Sequence, residues 1–105
     1  MKRGEVRYYT FRPPDKKRPV LILTRDSVIP YLGEVTVAPI TSTIRGLPTE
    51  VLLSRSEGFK KDCAVNLDHL QTVEKARIGS TITSLAERDM RRVREALLFA
   101  LGYDD

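Results

Sequence analysis

The residues in this sequence best suited to chemistry are hydroxyls and cations. Thr41, Ser42, Thr43 and Arg45 follow one another just past an apolar stretch. Arg18 stands immediately before a second apolar stretch, and Asp68-His69 sits at the junction of two more. Hydroxyls and a guanidinium at the end of a stiff strand are the parts of an oxyanion site, because the strand fixes where the donors point. Arg18 stabilises negative charge but is a poor base, since its pKa lies above about 12. Thr41 can donate to a phosphate oxygen, and Asp68 or His69 can shuttle a proton. This inventory suits a phosphodiester that carries its own nucleophile, the 2′-OH of RNA. Such cleavage requires an oriented phosphate, stabilised charge on the phosphorane and proton transfer, and no metal-activated water. Taken alone, the 41–46 segment also reads as an ordinary polar hairpin loop.

Other chemistries fit poorly. One cysteine and one histidine cannot build a tetrahedral Cys/His zinc site. No carboxylate cluster suggests a two-metal centre, and no Gly-rich phosphate loop or dinucleotide fingerprint occurs. The expectation is therefore no metal and no cofactor. A Cys63–His69 nucleophilic pair is weakened by the apolar run around Cys63. A lone cysteine excludes an internal disulfide and fits a reducing compartment. No apolar run approaches the roughly 20 residues that span a bilayer. The opening MKRGEVRYYTF lacks the apolar core of a secretion signal, so a cytoplasmic, non-membrane protein is expected. The net charge of +4 is uneven: residues 1–18 hold seven bases against two acids, and the rest eleven against twelve. That N-terminal excess favours a polyanionic partner.

Elements that would position these residues follow from periodicity. A first strand is expected from about Glu5 to Thr10, ended by Pro13-Pro14-Asp15. Val20-Leu21-Ile22-Leu23, apolar throughout, reads as a strand buried on both faces. Arg25 to Gly33 is a connection with room for one helical turn, its end marked by Pro30 and Gly33. Val35 and Val37 alternating with Thr36 and Ala38 predict a half-buried strand, and Val51 to Leu53 another. Ser54 to Asp62 is a polar link, Cys63 to Leu67 and Leu70 to Val73 are strands, and Arg77 to Ser80 is weakly extended. Ser84-Leu85-Ala86-Glu87 has capping-box spacing ahead of a helix whose Leu85, Met90, Val93, Leu97 and Leu101 share a stripe. Gly102 is its expected C-cap. At 105 residues one domain spanning 1–105 is expected. The class is α+β, mainly β, most simply a compact antiparallel barrel closed by a helix.

Several blocks, in order, resemble a known family. These are Arg3-Gly4-Glu5-Val6, Arg18-Pro19-Val20-Leu21-Ile22-Leu23, Val37-Ala38-Pro39-Ile40-Thr41-Ser42, Leu47-Pro48-Thr49-Glu50-Val51 and Leu67-Asp68-His69-Leu70-Gln71-Thr72-Val73. Together they resemble the MazF/PemK-type toxins, the endoribonuclease half of bacterial toxin–antitoxin pairs. The resemblance implies a strongly curved SH3-like barrel with a C-terminal helix, a homodimer, and metal-independent cleavage of single-stranded RNA to a 2′,3′-cyclic phosphate. It implies growth inhibition through blocked translation, relieved by a cognate antitoxin with an acidic, partly disordered segment. It also implies that Arg18 and Thr41 carry catalysis and that Asp68 supplies a carboxylate near the scissile phosphate. Two departures stand out. The chain reads His69-Leu70-Gln71 where the family usually has Gln-Ile-Arg, and its Pro13–Lys17 loop is shorter and lacks a Gly-Ser-Glu-Gln tract.

RNA contacts are expected from Lys16 and Lys17 on phosphates, and from Ser42, Arg45, His69 and Gln71 near the bases. Two rival readings share the same fold features. One is a gyrase-poisoning toxin of the same fold. The other is a non-catalytic RNA-binding barrel that stacks bases on Tyr8 and Tyr9.

Overall fold

The alternating apolar positions fold into seven antiparallel strands and one helix. The structure, a computed structural model, describes residues 1–12 and 17–104. In chain order the strands are β1 (Glu5–Thr10), β2 (Lys17–Ile22), β3 (Glu34–Thr41), β4 (Glu50–Leu53), β5 (Cys63–Asn66), β6 (Gln71–Glu74) and β7 (Ile78–Ser84), followed by α1 (Glu87–Leu101). Single 3-10 turns at Ile29–Tyr31, Arg55–Glu57, Leu67–His69 and Lys75–Arg77 occupy the connections. Pro30 lies inside the first of these turns rather than at its end, where its fixed φ suits an early helical position.

Strand β3 is the hub. It pairs β2 through Val37–Pro39, β6 through Glu34–Val37 and β5 through Ile40–Thr41. The handover from β6 to β5 falls at Ala38 and Pro39, so a proline there withholds no ladder hydrogen bond from either strand. The sheet runs β4-β5-β3-β2-β1-β7, with β6 as an extra partner of β3. Its end strands β4 and β7 do not pair with each other, so the sheet is curved but open. The expected curved antiparallel sheet with a C-terminal helix is what the described residues form, left open at the edges β4, β6 and β7.

Both faces of the central strands are buried. Val20 and Ile22 face one core with Tyr9, Val35, Val37 and Val73. Leu21 faces a second core with Ala38, Ile40, Val65 and residues of α1. The continuous apolar run in β2 is thus a two-faced strand, as its lack of alternation predicts. Strand β3 departs from the half-buried expectation, since Ala38 is fully buried. A small side chain reads as neutral in a periodicity argument, yet here it leaves room for helix-side neighbours. Tyr9 is also buried, edge-on to Phe11 with the Arg77 guanidinium over its ring. It is therefore not a stacking surface, whereas Tyr8 on the opposite face is 39% exposed.

The helix begins later than the Ser84 box predicts. Ser84 still pairs with Glu5, and the Leu85 N–H donates to the Gly4 carbonyl at 2.9 Å. The sheet ladder holds the chain extended until Ala86, which is the N-cap. Tertiary pairing overrides the local capping signal. Glu57, in the Arg55–Glu57 turn, does reach back in that manner, accepting from the Ser54 N–H at 2.7 Å. At the other end of α1, Gly102 takes the left-handed conformation expected of a C-cap. The stripe is truncated, since Val93 and Ala96 are buried while Leu101 is 53% exposed.

The least expected helical residue is Asp89, only 2% exposed. Its carboxylate lies in the first turn, where the helix dipole favours negative charge. Arg92 donates to it at 3.1 Å and, through its other nitrogen, to the Leu52 carbonyl of β4 at 2.9 Å. One guanidinium thus satisfies a buried carboxylate and ties the helix to an edge strand. Arg92→Ala should destabilise the fold by about 1–3 kcal/mol, the cost of leaving such a group under-satisfied. Arg91→Ala, which removes only an exposed pairing with Glu87, should change stability by less than about 0.5 kcal/mol. Urea midpoints at unchanged m-value check both.

Candidate active site

Strand register places the two residues most suited to phosphate chemistry. In the β2–β3 pairing Val20 faces Pro39, Leu21 faces Ala38 and Ile22 faces Val37. Each step back along β2 is a step forward along β3. Arg18, two residues before Val20, and Thr41, two residues after Pro39, thus lie just past the same end of this ladder. Both side chains line two adjoining cavities, of about 390 and 280 Å³. Arg18 and Thr41 are therefore the junction of a groove with two arms.

Each is presented for use. The Thr41 Oγ1 accepts from the Thr43 N–H at 3.0 Å, which fixes the oxygen and leaves its O–H to donate outward. Arg18 is exposed, and among the described residues no carboxylate lies within ion-pair range of it. A guanidinium and a hydroxyl that converge without consuming each other can grip one phosphate from two sides.

The smaller arm is polar and braced. Arg45, Glu50, Asn66 and His69 line it beside Arg18 and Thr41. Glu50 accepts from the Arg45 and Leu47 N–H groups, each at 3.1 Å, and so folds the loop after β3 back onto β4. The Asn66 Oδ1 accepts from the Asp68 N–H at 3.0 Å, opening the turn that carries His69. The Asn66 amide then meets the His69 Nδ1 at 3.2 Å. With the amide nitrogen as donor, Nδ1 is the acceptor and the proton sits on Nε2.

Of the residues expected at the site, Arg18, Thr41, Ser42, Arg45 and His69 come together in the two arms. Asp68 and Gln71 line neither. The Asp68 carboxylate accepts from the Thr49 hydroxyl at 2.6 Å, and Gln71 pairs with Val37, midway along β3. Lys17 opens β2 opposite Thr10 and is exposed. The Lys16 expectation, like the rest of 13–16, lies outside the described residues.

In the larger arm Tyr8, weighed in the sequence as a base-stacking residue, forms an apolar wall with Phe59 and Ile82, and Lys60 and Lys61, passed over in the sequence, stand beside them. The available signal was a lysine pair in the 54–62 link, read there only as polar. Glu50 and Asn66 were missed for a different reason: their roles are hydrogen bonds to backbone, which depend on the fold. Cys63 lines this arm but is 7% exposed. Burial, with Asp62 and Glu57 nearby, pushes its thiol above the ordinary value, which suits an inert core cysteine rather than a nucleophile.

Comparison with known proteins now decides the family. A model describing PemK-like, MazF-like toxins of type II toxin–antitoxin systems matches residues 2–101. The chain belongs to the MazF/PemK toxin family. Among its relatives, endoribonuclease MazF3 of Mycobacterium tuberculosis is 43% identical over 90 residues, covering 86% of this chain and 87% of that protein. Endoribonuclease EndoA of Bacillus subtilis is 32% identical over 113 residues, covering 100% and 97%. The solved structure of the Mycobacterium tuberculosis toxin MazF-mt6 superposes with a TM-score of 0.87 at 39% identity, covering 96% of this chain and 99% of that one. A mycobacterial endoribonuclease in complex with its cognate antitoxin gives a TM-score of 0.87 at 25% identity, covering 97% and 95%. The mainly β fold with a C-terminal helix is thus the MazF/PemK fold. No helix among the described residues is long and apolar enough to cross a membrane.

The Glu50 brace is open to direct test in this MazF/PemK chain. Glu50→Ala removes a charged acceptor from two backbone donors, each such bond contributing about 1.5–3 kcal/mol. Amide exchange at Arg45 and Leu47 should accelerate on the order of tenfold or more, with the β2–β3 amides unchanged.

Proposed function

We propose that this toxin is a metal-independent endoribonuclease acting on single-stranded RNA, with catalysis resting on Arg18 and Thr41. The observation that carries this reading is their convergence at the junction of two groove arms. A phosphodiester seated there has nucleotides on both sides, one per arm. The 2′-OH attacks the adjacent phosphorus as the O5′ bond breaks. The products are a 2′,3′-cyclic phosphate and a 5′-hydroxyl. Arg18 offers its fork to the non-bridging oxygens as charge accumulates on them, and the Thr41 hydroxyl donates to the same group. The attacking hydroxyl loses a proton and the leaving oxygen gains one. His69 is the titratable side chain in the polar arm suited to such transfer. Asp68, expected as a catalytic carboxylate, contributes as a positioning residue by anchoring the His69 turn to Thr49. Ser42 and Arg45 extend the donor set into the loop after β3, while Lys17 and Gln71 are assigned to RNA contacts outside the two arms.

The same reading includes a homodimer, a cytoplasmic site of action and a cognate antitoxin. The antitoxin's acidic, partly disordered segment would compete for the groove, drawn by the cationic residues 1–18. Support for such a partner comes from the mycobacterial relative solved with its antitoxin.

Purified protein incubated with RNA in EDTA should cleave it and leave 2′,3′-cyclic ends. Arg18→Lys should retain the fold and lose on the order of 10²–10³ in rate, because a point charge does not reproduce the bidentate fork. Cleavage that requires added magnesium, or an Arg18→Lys variant within about threefold of wild type, would contradict the mechanism. RNA bound but left intact would return the chain to the non-catalytic reading.

A further inference from the structure

The two arms of the groove differ in kind, and the difference bears on how RNA is read, given the nucleolytic reading above. The smaller arm presents hydrogen-bonding groups: the Glu50 carboxylate, the Asn66 amide and the His69 ring. The larger arm presents an apolar wall with cations beside it, and no acidic residue is among those lining it. Its volume of about 390 Å³ falls within the range of small-ligand sites, roughly 300–1,000 Å³.

We propose that the larger arm is a sequence-tolerant nucleotide subsite, in which a base of single-stranded RNA lies against Tyr8 and the neighbouring phosphates meet Lys60 and Lys61. Tyr8 is suited to this because its ring remains 39% exposed while the adjacent Tyr9 is buried. The backbone beneath it is fixed, since a Cβ at Gly79 would come within 3.3 Å of the Tyr8 carbonyl oxygen. Glycine there lets β7 lie close on β1 and hold Tyr8 in place.

The lysines are also held. Phe59 packs against the helix-side core, and its N–H donates to the Ser54 carbonyl at 3.2 Å. Gly58 is left-handed at φ 98°, and a Cβ there would stand 3.1 Å from the Thr83 hydroxyl. Lys60 and Lys61 therefore extend from a pinned segment rather than a free loop. Lysine acts on phosphate as a point charge, and every base has a π-face, so neither contact selects a sequence. Base choice falls to the polar arm, whose carboxylate, amide and imidazole can match one base edge and reject another.

The test is direct binding of two single-stranded oligonucleotides of different sequence, with 2′-deoxy substitution at the scissile position, measured across a salt series. Tyr8→Ala should weaken both sequences alike, by between roughly 5- and 150-fold, the range for loss of one base–aromatic stack. Tyr8→Phe should bind like wild type, which separates stacking from a folding defect. Lys60→Ala with Lys61→Ala should flatten the log–log salt slope by roughly 1.4, at about 0.7 per phosphate contact. His69→Ala, in contrast, should change the ratio between the two sequences. If wild type binds and cleaves RNA while the Tyr8 and lysine variants keep full affinity, the subsite proposal is overturned and the nucleolytic reading stands. Loss of acidic-peptide binding alone in those variants would assign the arm to a protein partner and overturn it equally. If wild type neither binds nor cleaves RNA, both fall.

Discussion

The register between β2 and β3 is the constraint on which the rest of the site depends. Arg18 and Thr41 are 23 positions apart in the chain, and this pairing leaves both just past one end of the same ladder, where they line the same two cavities. Three side chains at its centre, Val20, Leu21 and Ile22, are each 0% exposed. Burying such a side chain contributes about 1.5–3 kcal/mol, whereas a typical surface hydrogen bond contributes about 1. Packing therefore dictates where Arg18 and Thr41 stand, and the site's own polar contacts are too weak to do so. A slip by one residue would exchange Leu21 with Val20 and Ile22 between the two cores and turn Arg18 away from Thr41.

Around that register the remaining elements act as braces. Strand β5 carries Asn66, whose amide and carbonyl shape the turn presenting His69. Strand β4 carries Glu50, which folds the loop after β3 down onto the sheet. The helix secures β4 in turn, through Arg92 and the Leu52 carbonyl. An edge strand otherwise open to pairing with another chain is thus tied to the fold.

Much of this was legible in the sequence. The unbroken apolar run from Val20 fixed β2 as buried on both faces, and the run of hydroxyls after Ile40 marked a strand end rich in donors. The ordered blocks carried the family. What failed had a common cause. Ser84 was misread as a cap because its competing partner, Glu5, lies 79 positions away. Tyr8 and Tyr9 are alike in type, and only the pairings of β1 with β2 and β7 decide which one is buried. Glu50 and Asn66 make hydrogen bonds to backbone that no local pattern announces, and the Lys60-Lys61 pair reads only as polar until the fold sets it beside Tyr8.

The central claim is that one phosphate is held jointly by the guanidinium of β2 and the hydroxyl ending β3. The most direct measurement is a crystal structure with a single-stranded oligonucleotide carrying a 2′-deoxy substitution at the cleavage position. The account predicts non-bridging oxygens of a single phosphate within about 3 Å of both the Arg18 guanidinium and the Thr41 Oγ1, with one flanking nucleotide in each arm. A scissile phosphate bound away from that pair, with Arg18 turned to solvent, would contradict it.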